Sequence, residues 1–278
     1  MTALCHSSTT IRYNIINYNL QERVREVRVM ATGEELDDFS ARGYLVRQGL
    51  LDPDRVSEFR TVVDELTSEE LKNENSENYP GNALYIRYLL QRGSRFLQLA
   101  RSDLLLGVAR AMLGPQVQVF DMICRVSFLE EGPQQVMWHI HNRVVPQPLP
   151  PFFSYPHGMD ALIYLDDVGA AEGPLCVLPG SHNGPSIDFP YGDFSDKEGQ
   201  ISIPVRSGDC IFCHSNLWHR ALPSVSRSGR RRALIIGYMP AWFKTEFPQG
   251  RRPSGLEDLK DESLDPETQE LLGSFQWT

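Results

Sequence analysis

Apolar residues recur at helical spacing through the first third of the chain and give way to short β-rich runs after Gly114. Thr32 and Glu35 stand three apart at the head of an amphipathic run ending at Gly43, the pattern in which a hydroxyl and a carboxylate reciprocally cap the first turn of a helix. Asp52-Pro53 supplies an N-cap and a first helical residue ahead of Val56, Phe59, Val62, Val63 and Leu66. Ser102-Asp103 opens a third run that Gly114 closes. Residues 30–114 therefore predict a helical layer. Beyond it, the runs 117–120, 136–140, 161–165, 201–205, 210–212 and 233–238, punctuated by Gly and Pro, predict the strands of a barrel or jelly roll.

The rest of the chain connects or flanks these elements. Residues 1–29 lack the continuous apolar stretch and cleavage site of a secretory leader and read as an extension, disordered or added by an upstream start codon. The domain is expected over 30–278, with helices over about 30–114, the jelly roll over about 115–245 and a polar tail carrying a short helix in LDPETQELLG. In PQPLPPFFSYP five prolines forbid regular structure while Phe152, Phe153 and Tyr155 offer apolar contact, which suits a semi-rigid lid or a plain surface loop.

Composition narrows the partners. At 278 residues, with 41% hydrophobic and 23% charged, the chain can bury a real core as one large β domain. A net charge of −9 argues against nucleic-acid phosphates and anionic membranes, and makes a small molecule the better-suited partner. No run approaches the ~20 apolar residues of a membrane span, and five cysteines are too few and too odd for a disulfide framework. A cytoplasmic protein is expected.

The chemistry lies in the histidines. His139 and His141 are two apart at the end of a strand-like run, so both leave the same face of a sheet and can share an ion. About 80 residues later His219 follows another apolar strand and completes a candidate set of three. Three protein ligands on one face of an octahedron leave the opposite face open for substrate, co-substrate and oxygen, as in non-haem iron(II) oxygenases. Cys210-Ile-Phe-Cys213-His214 matches the haem-attachment pattern, but its place in an apolar strand favours packing. His182 and His214 read as structural residues or as supports behind the ligands, and His6 and His157 carry no signal. No dinucleotide fingerprint, P-loop or nucleophile elbow is present.

With these residues in place, several motifs in register make the chain resemble the phytanoyl-CoA dioxygenase family of iron(II)/2-oxoglutarate oxygenases. They are EELDDFSARGYLVRQGLLDPDRVSEFRTVVDEL, Trp138-His139-x-His141, Leu165-Asp166-Asp167-Val168, Glu172-Gly173-Pro174-Leu175, Pro179-Gly180-Ser181-His182, Gly208-Asp209, and His219 followed by Arg231-Arg232-Ala233-Leu234. The resemblance implies a cupin-like double-stranded β-helix with a helical N-terminal layer, iron(II) and 2-oxoglutarate as cofactors, and O2 and a small, partly apolar metabolite as substrates. It places metal ligands at His139 and His219 and the 2-oxoglutarate anchor at Arg231. A guanidinium fork there meets a carboxylate with two charge-assisted bonds, and a one-residue shift would move the role to Arg230.

Position 141 departs from the pattern, because His141 stands where the family has a carboxylate. Three readings follow: a three-histidine iron site, a site where His141 stands aside, and a degenerate centre. At the level of function the same departure admits an iron oxygenase that does not use 2-oxoglutarate, or a binding partner of the same fold. Asp160, opening the next strand, reads as a strand-entry aspartate, with a replacement carboxylate as the alternative. Trp138, Phe152, Phe153 and Tyr155 are candidates for the substrate wall.

Overall fold

In the computed structural model, which describes residues 9–16, 22–73, 78–79, 83–141, 158–184, 189–243 and 265–273, helices and strands alternate before the sheets take over. β1 (Thr9–Ile16) and β2 (Glu22–Val29) form an antiparallel hairpin. α1 (Gly33–Arg42) starts at Thr32 with the reciprocal cap in place: Glu35 N–H donates to Thr32 Oγ1 at 3.1 Å, and Thr32 N–H donates to Glu35 Oε2 at 2.8 Å. β3 (Tyr44–Arg47), α2 (Pro53–Glu70, capped by Asp52), β4 (Asn78–Tyr79), β5 (Ala83–Ile86), α3 (Ser94–Ala100) and α4 (Asp103–Leu113) follow. Then come β6 (Val117–Phe128), β7 (Val136–His139), β8 (Met159–Tyr164), β9 (Leu175–Val177), β10 (Ile201–Ile203), β11 (Cys210–His214), β12 (His219–Ala221) and β13 (Arg230–Pro240), with α5 (Pro266–Leu271) last.

Two antiparallel sheets carry the architecture, a seven-stranded one in the order β3-β11-β8-β13-β6-β5-β4 and a four-stranded one in the order β10-β9-β12-β7. Alternation along the long strands sorts their side chains between two cores. Met122, Cys124 and Val126 of β6, Ala161 and Ile163 of β8, and Leu234 and Ile236 of β13 pack against Phe59, Val63, Phe96 and Leu105 of the helical layer. The opposite face meets the smaller sheet, where Leu162 and Tyr164 join Leu175, Val177 and Ile203. This is the mainly β jelly roll expected. The region 30–114 is not purely helical, however: β3 and β5 enter the large sheet by pairing with β11 and β6. At four residues each they lack the length for their periodicity to be read.

The motif glycines mark tight approaches. Gly208 has φ 91°, and any Cβ there would run into the Leu51 carbonyl; beside it Asp209 accepts the N–H groups of Gly49 and Arg206, both at 2.8 Å. No helix among the described residues is long and apolar enough to cross a membrane.

Candidate metal centre and its cavity

β7 and β12 are neighbours in the small sheet, and their register sets His139 directly opposite His219. His141, two residues beyond His139, turns to the same side. One ligand atom from each of the three lies within 4.8 Å of the others, and the ring centroids are 4.2–5.3 Å apart. An acceptor stands beside every Nδ1: Met137 O at 2.9 Å for His139, Leu217 O at 2.8 Å for His219 and Asp160 Oδ2 at 2.8 Å for His141. A proton on each Nδ1 meets these acceptors and leaves Nε2 as the atom that can bind a metal. Three such donors fit a divalent transition-metal ion on one face.

Asp160 lies on β8 in the middle of the large sheet and is buried. Ser215 Oγ donates to the same Oδ2 at 3.0 Å, while Ser215 O accepts the His141 N–H at 2.8 Å. Gly158 makes room for this arrangement, since a Cβ there would sit 2.6 Å from Ser215 Oγ. Burial alone pushes the Asp160 carboxyl up, but His141 and the bonds from His141 and Ser215 outweigh it and hold the group below the usual carboxylate range. Asp160 is thus more than a strand-entry residue.

A two-lobed cavity adjoins the histidines. The inner lobe, about 160 Å³, is lined by His139, His141 and His219 together with Arg231, Arg125, Tyr85 and Tyr164. Arg231 is buried on β13 opposite Ser127 of β6; its Nη1 donates to the Glu172 carbonyl at 2.7 Å and to that of Gly173. Gly173, at φ 76°, allows this, because a Cβ there would clash with the Leu222 carbonyl and lie 2.9 Å from Arg231 Nη1. Burial first, and then the Arg125 guanidinium, pull Arg231 below the usual arginine range. Among the described residues no carboxylate pairs with Arg125 or Arg231, so the inner lobe holds two like charges that an anion would reconcile. Arg230 leaves the cavity, donating to Asp64 at 3.0 Å over the Phe128 ring.

The outer lobe, about 520 Å³, shares Ile123, Ile235, His139 and His141 with the inner one and adds Arg87, Phe120, Asp121, Ile140 and Asp160. A bulge in β6 between Val119 and Asp121, opposite Gly237 and Tyr238, brings Phe120 and the neighbouring Asp121 to this lobe. Burial raises the Asp121 carboxyl, offset in part by the Met122 N–H and the Arg87 charge.

Other sequence candidates fall elsewhere. Trp138 does not line the cavity: it is buried on the far side of the small sheet against Phe189, with Nε1 donating to Ser195 O at 2.8 Å. Its indole faces away because it alternates with His139 along β7. Phe152, Phe153, Tyr155 and the proline-rich segment lie outside the described residues, as do His6 and His157. His182 and His214 stack 4.9 Å apart away from the centre, with His182 Nε2 3.0 Å from Ser40 O. Cys210 and Cys213 are buried on opposite faces of β11. Arg125, Tyr85, Arg87 and Asp121 escaped the sequence reading; the one signal for them was the polar alternation of Asp121, Arg125 and Ser127 within an otherwise apolar strand.

Residues 39–233 match the family model for phytanoyl-CoA dioxygenase. A relative, the ectoine dioxygenase of Nocardia farcinica, is 26% identical over 233 residues, covering 73% of this chain and 76% of its own. Among solved structures, HygX of Streptomyces hygroscopicus with nickel, 2-oxoglutarate and hygromycin B superposes with a TM-score of 0.65 at 21% identity, over 80% of this chain and 94% of that one. The epimerase SnoN, in complex with Fe3+, alpha ketoglutarate and nogalamycin RO, gives 0.61 at 22% identity over 84% and 91%.

Proposed function

The chain belongs to the phytanoyl-CoA dioxygenase family, and from that premise we propose that it is an iron(II)/2-oxoglutarate oxygenase in which His139, His141 and His219 hold the metal and Arg231 anchors the co-substrate. Bound iron(II) and 2-oxoglutarate supply oxidation of an unactivated C–H group by O2, with succinate and carbon dioxide as co-products. The observation that carries the reading is the side-by-side placement of two unlike sites: three imidazoles with ligand atoms within 4.8 Å of one another, and two guanidiniums that no carboxylate among the described residues pairs with.

The protein's own residues do the rest by position. Arg231, held by the carbonyls of Glu172 and Gly173 and by Ser127 Oγ, lines the lobe, and Arg125, bonded through Nε to Tyr85 Oη at 3.1 Å, adds a second cation. A dicarboxylate fits there with its distal end on Arg231 and its keto-acid end toward the histidines. Leu162, Ile123, Ile235 and Ala233 keep the space between dry, which strengthens these charge contacts. The outer lobe is left for the substrate. Phe120, Ile123 and Ile140 suit an apolar body, and Arg87 and Asp121 suit a charged or hydrogen-bonding end, so a small, partly apolar metabolite fits better than a wholly apolar one.

The names of the relatives support small molecules as substrates, with hygromycin B and nogalamycin RO in two of the structures. The acidic chain and its buried free thiols at Cys124, Cys176, Cys210 and Cys213 agree with a cytoplasmic enzyme that acts on neither nucleic acid nor membrane. The purified protein with iron(II), ascorbate and 2-oxoglutarate under air is expected to release succinate, slowly without a primary substrate and faster with one. Tight iron without 2-oxoglutarate turnover would favour an oxygenase of another type, and no metal binding would favour a partner protein.

A further inference from the structure

His141, which stands where the family pattern has a carboxylate ligand, is itself backed by a carboxylate, Asp160. We infer that Asp160 is a positioning residue of the metal centre, which restores through the His141 ring the negative charge missing from position 141. The inference rests on the reading of His139, His141 and His219 as metal ligands.

His139 and His219 bond through Nδ1 to neutral backbone carbonyls two residues back along the chain, so each ring is aimed by local chain geometry. His141 lies beyond the end of β7 and its side chain is 27% exposed. Its aim comes from Asp160 and Ser215. Nδ1–H donates to Asp160 Oδ2 at 2.8 Å, and its backbone N–H donates to Ser215 O at 2.8 Å. Asp160 cannot swing away, because β8 is paired on both sides, with β11 and β13, and Ser215 Oγ holds the same oxygen at 3.0 Å. Burying a carboxylate is costly unless such partners compensate, and here they all converge on the ring of one candidate ligand. A carboxylate on Nδ1–H pushes electron density toward Nε2 and fixes the tautomer that binds metal. The centre keeps three protein donors and an open opposite face, with its anionic charge one ring further out than in a His-x-Asp pattern.

Cobalt(II) titration of the full-length protein, followed by its visible d–d bands, tests this without turnover. Asp160→Asn is expected to weaken cobalt binding by roughly 10–100-fold and to shift the bands, and Ser215→Ala, which loosens Asp160 without removing it, by a smaller factor. The decisive comparison is the same substitution in a His141→Asp background. There a carboxylate reaches the metal directly and faces Asp160, so Asp160→Asn is expected to be neutral or to improve binding. Wild-type affinity in both Asp160→Asn and Ser215→Ala would overturn the inference. So would an equal loss from Asp160→Asn in both backgrounds, which would mark Asp160 as a fold residue. Should Asp160→Asn not fold, unchanged bands and affinity in Ser215→Ala would overturn it alone. Failure of the wild type itself to bind cobalt would instead overturn the metal reading.

Discussion

At the scale of single residues, two neighbours with the same side chain have opposite fates. Arg230 points out to Asp64, whereas Arg231 turns inward to the cavity, because successive residues of a strand face opposite sides. Arg231→Leu is expected to weaken 2-oxoglutarate binding about a hundredfold, the equivalent of about 3 kcal/mol of charge-assisted bonding, and to leave metal affinity nearly unchanged. Arg231→Lys should fall between, since an ammonium lacks the planar fork, and Arg230→Leu should not alter co-substrate affinity. Isothermal titration of metal-loaded protein with 2-oxoglutarate measures all three; equal losses for the two leucine variants would contradict the assignment. The histidines were legible in the sequence because i and i+2 in a strand share a face. Asp160 stood out as a strand-entry aspartate or a replacement carboxylate, but its contact with His141 depends on a β8 position that no local pattern encodes.

Among the elements, β6 and β13 do most to shape the cavity. Eleven residues of β13 pair with β6, and the cavity face of that pair runs from Arg231–Ser127 through Ala233–Arg125 and Ile235–Ile123 to Gly237–Asp121. Polar ends and an apolar middle thus become two lobes. These strands, β8 and the capped helices were readable from alternation, Thr32-x-x-Glu35 and Asp52-Pro53, while the brevity of β3 and β5 hid them. Trp138, one of the candidates for the substrate wall, packs in a core instead, as its alternation with His139 along β7 requires. The turn at Gly173 joins element to site: its positive φ is the conformation that favours glycine, and its missing Cβ admits Arg231. Gly173→Ala is expected to cost about 1–3 kcal/mol of stability and to raise the 2-oxoglutarate requirement by displacing Arg231, with metal affinity less affected. Thermal melting and the same titration check it. A variant with wild-type co-substrate affinity would show that Arg231 does not depend on this turn.

Over the whole molecule, charge is distributed against the net balance. The chain carries −9 overall, yet its inner lobe gathers Arg125 and Arg231, while Asp121 and Asp160 lie in the outer lobe with Arg87. In the proposed reading that segregation gives an anionic co-substrate one end of the cavity and the substrate the other, with His139 and His141 lining both lobes and His219 the inner one. The most direct test is an anaerobic titration of the purified protein with iron(II) and then with 2-oxoglutarate, followed in the visible range for the charge-transfer band of the chelate. One iron per chain is expected, with a band that appears only when both are present, no band in His139→Ala or His219→Ala, and a band in Arg231→Leu that needs about a hundredfold more 2-oxoglutarate. A wild-type protein that binds no iron, or a full-strength band after loss of His219, would contradict the proposed metal centre.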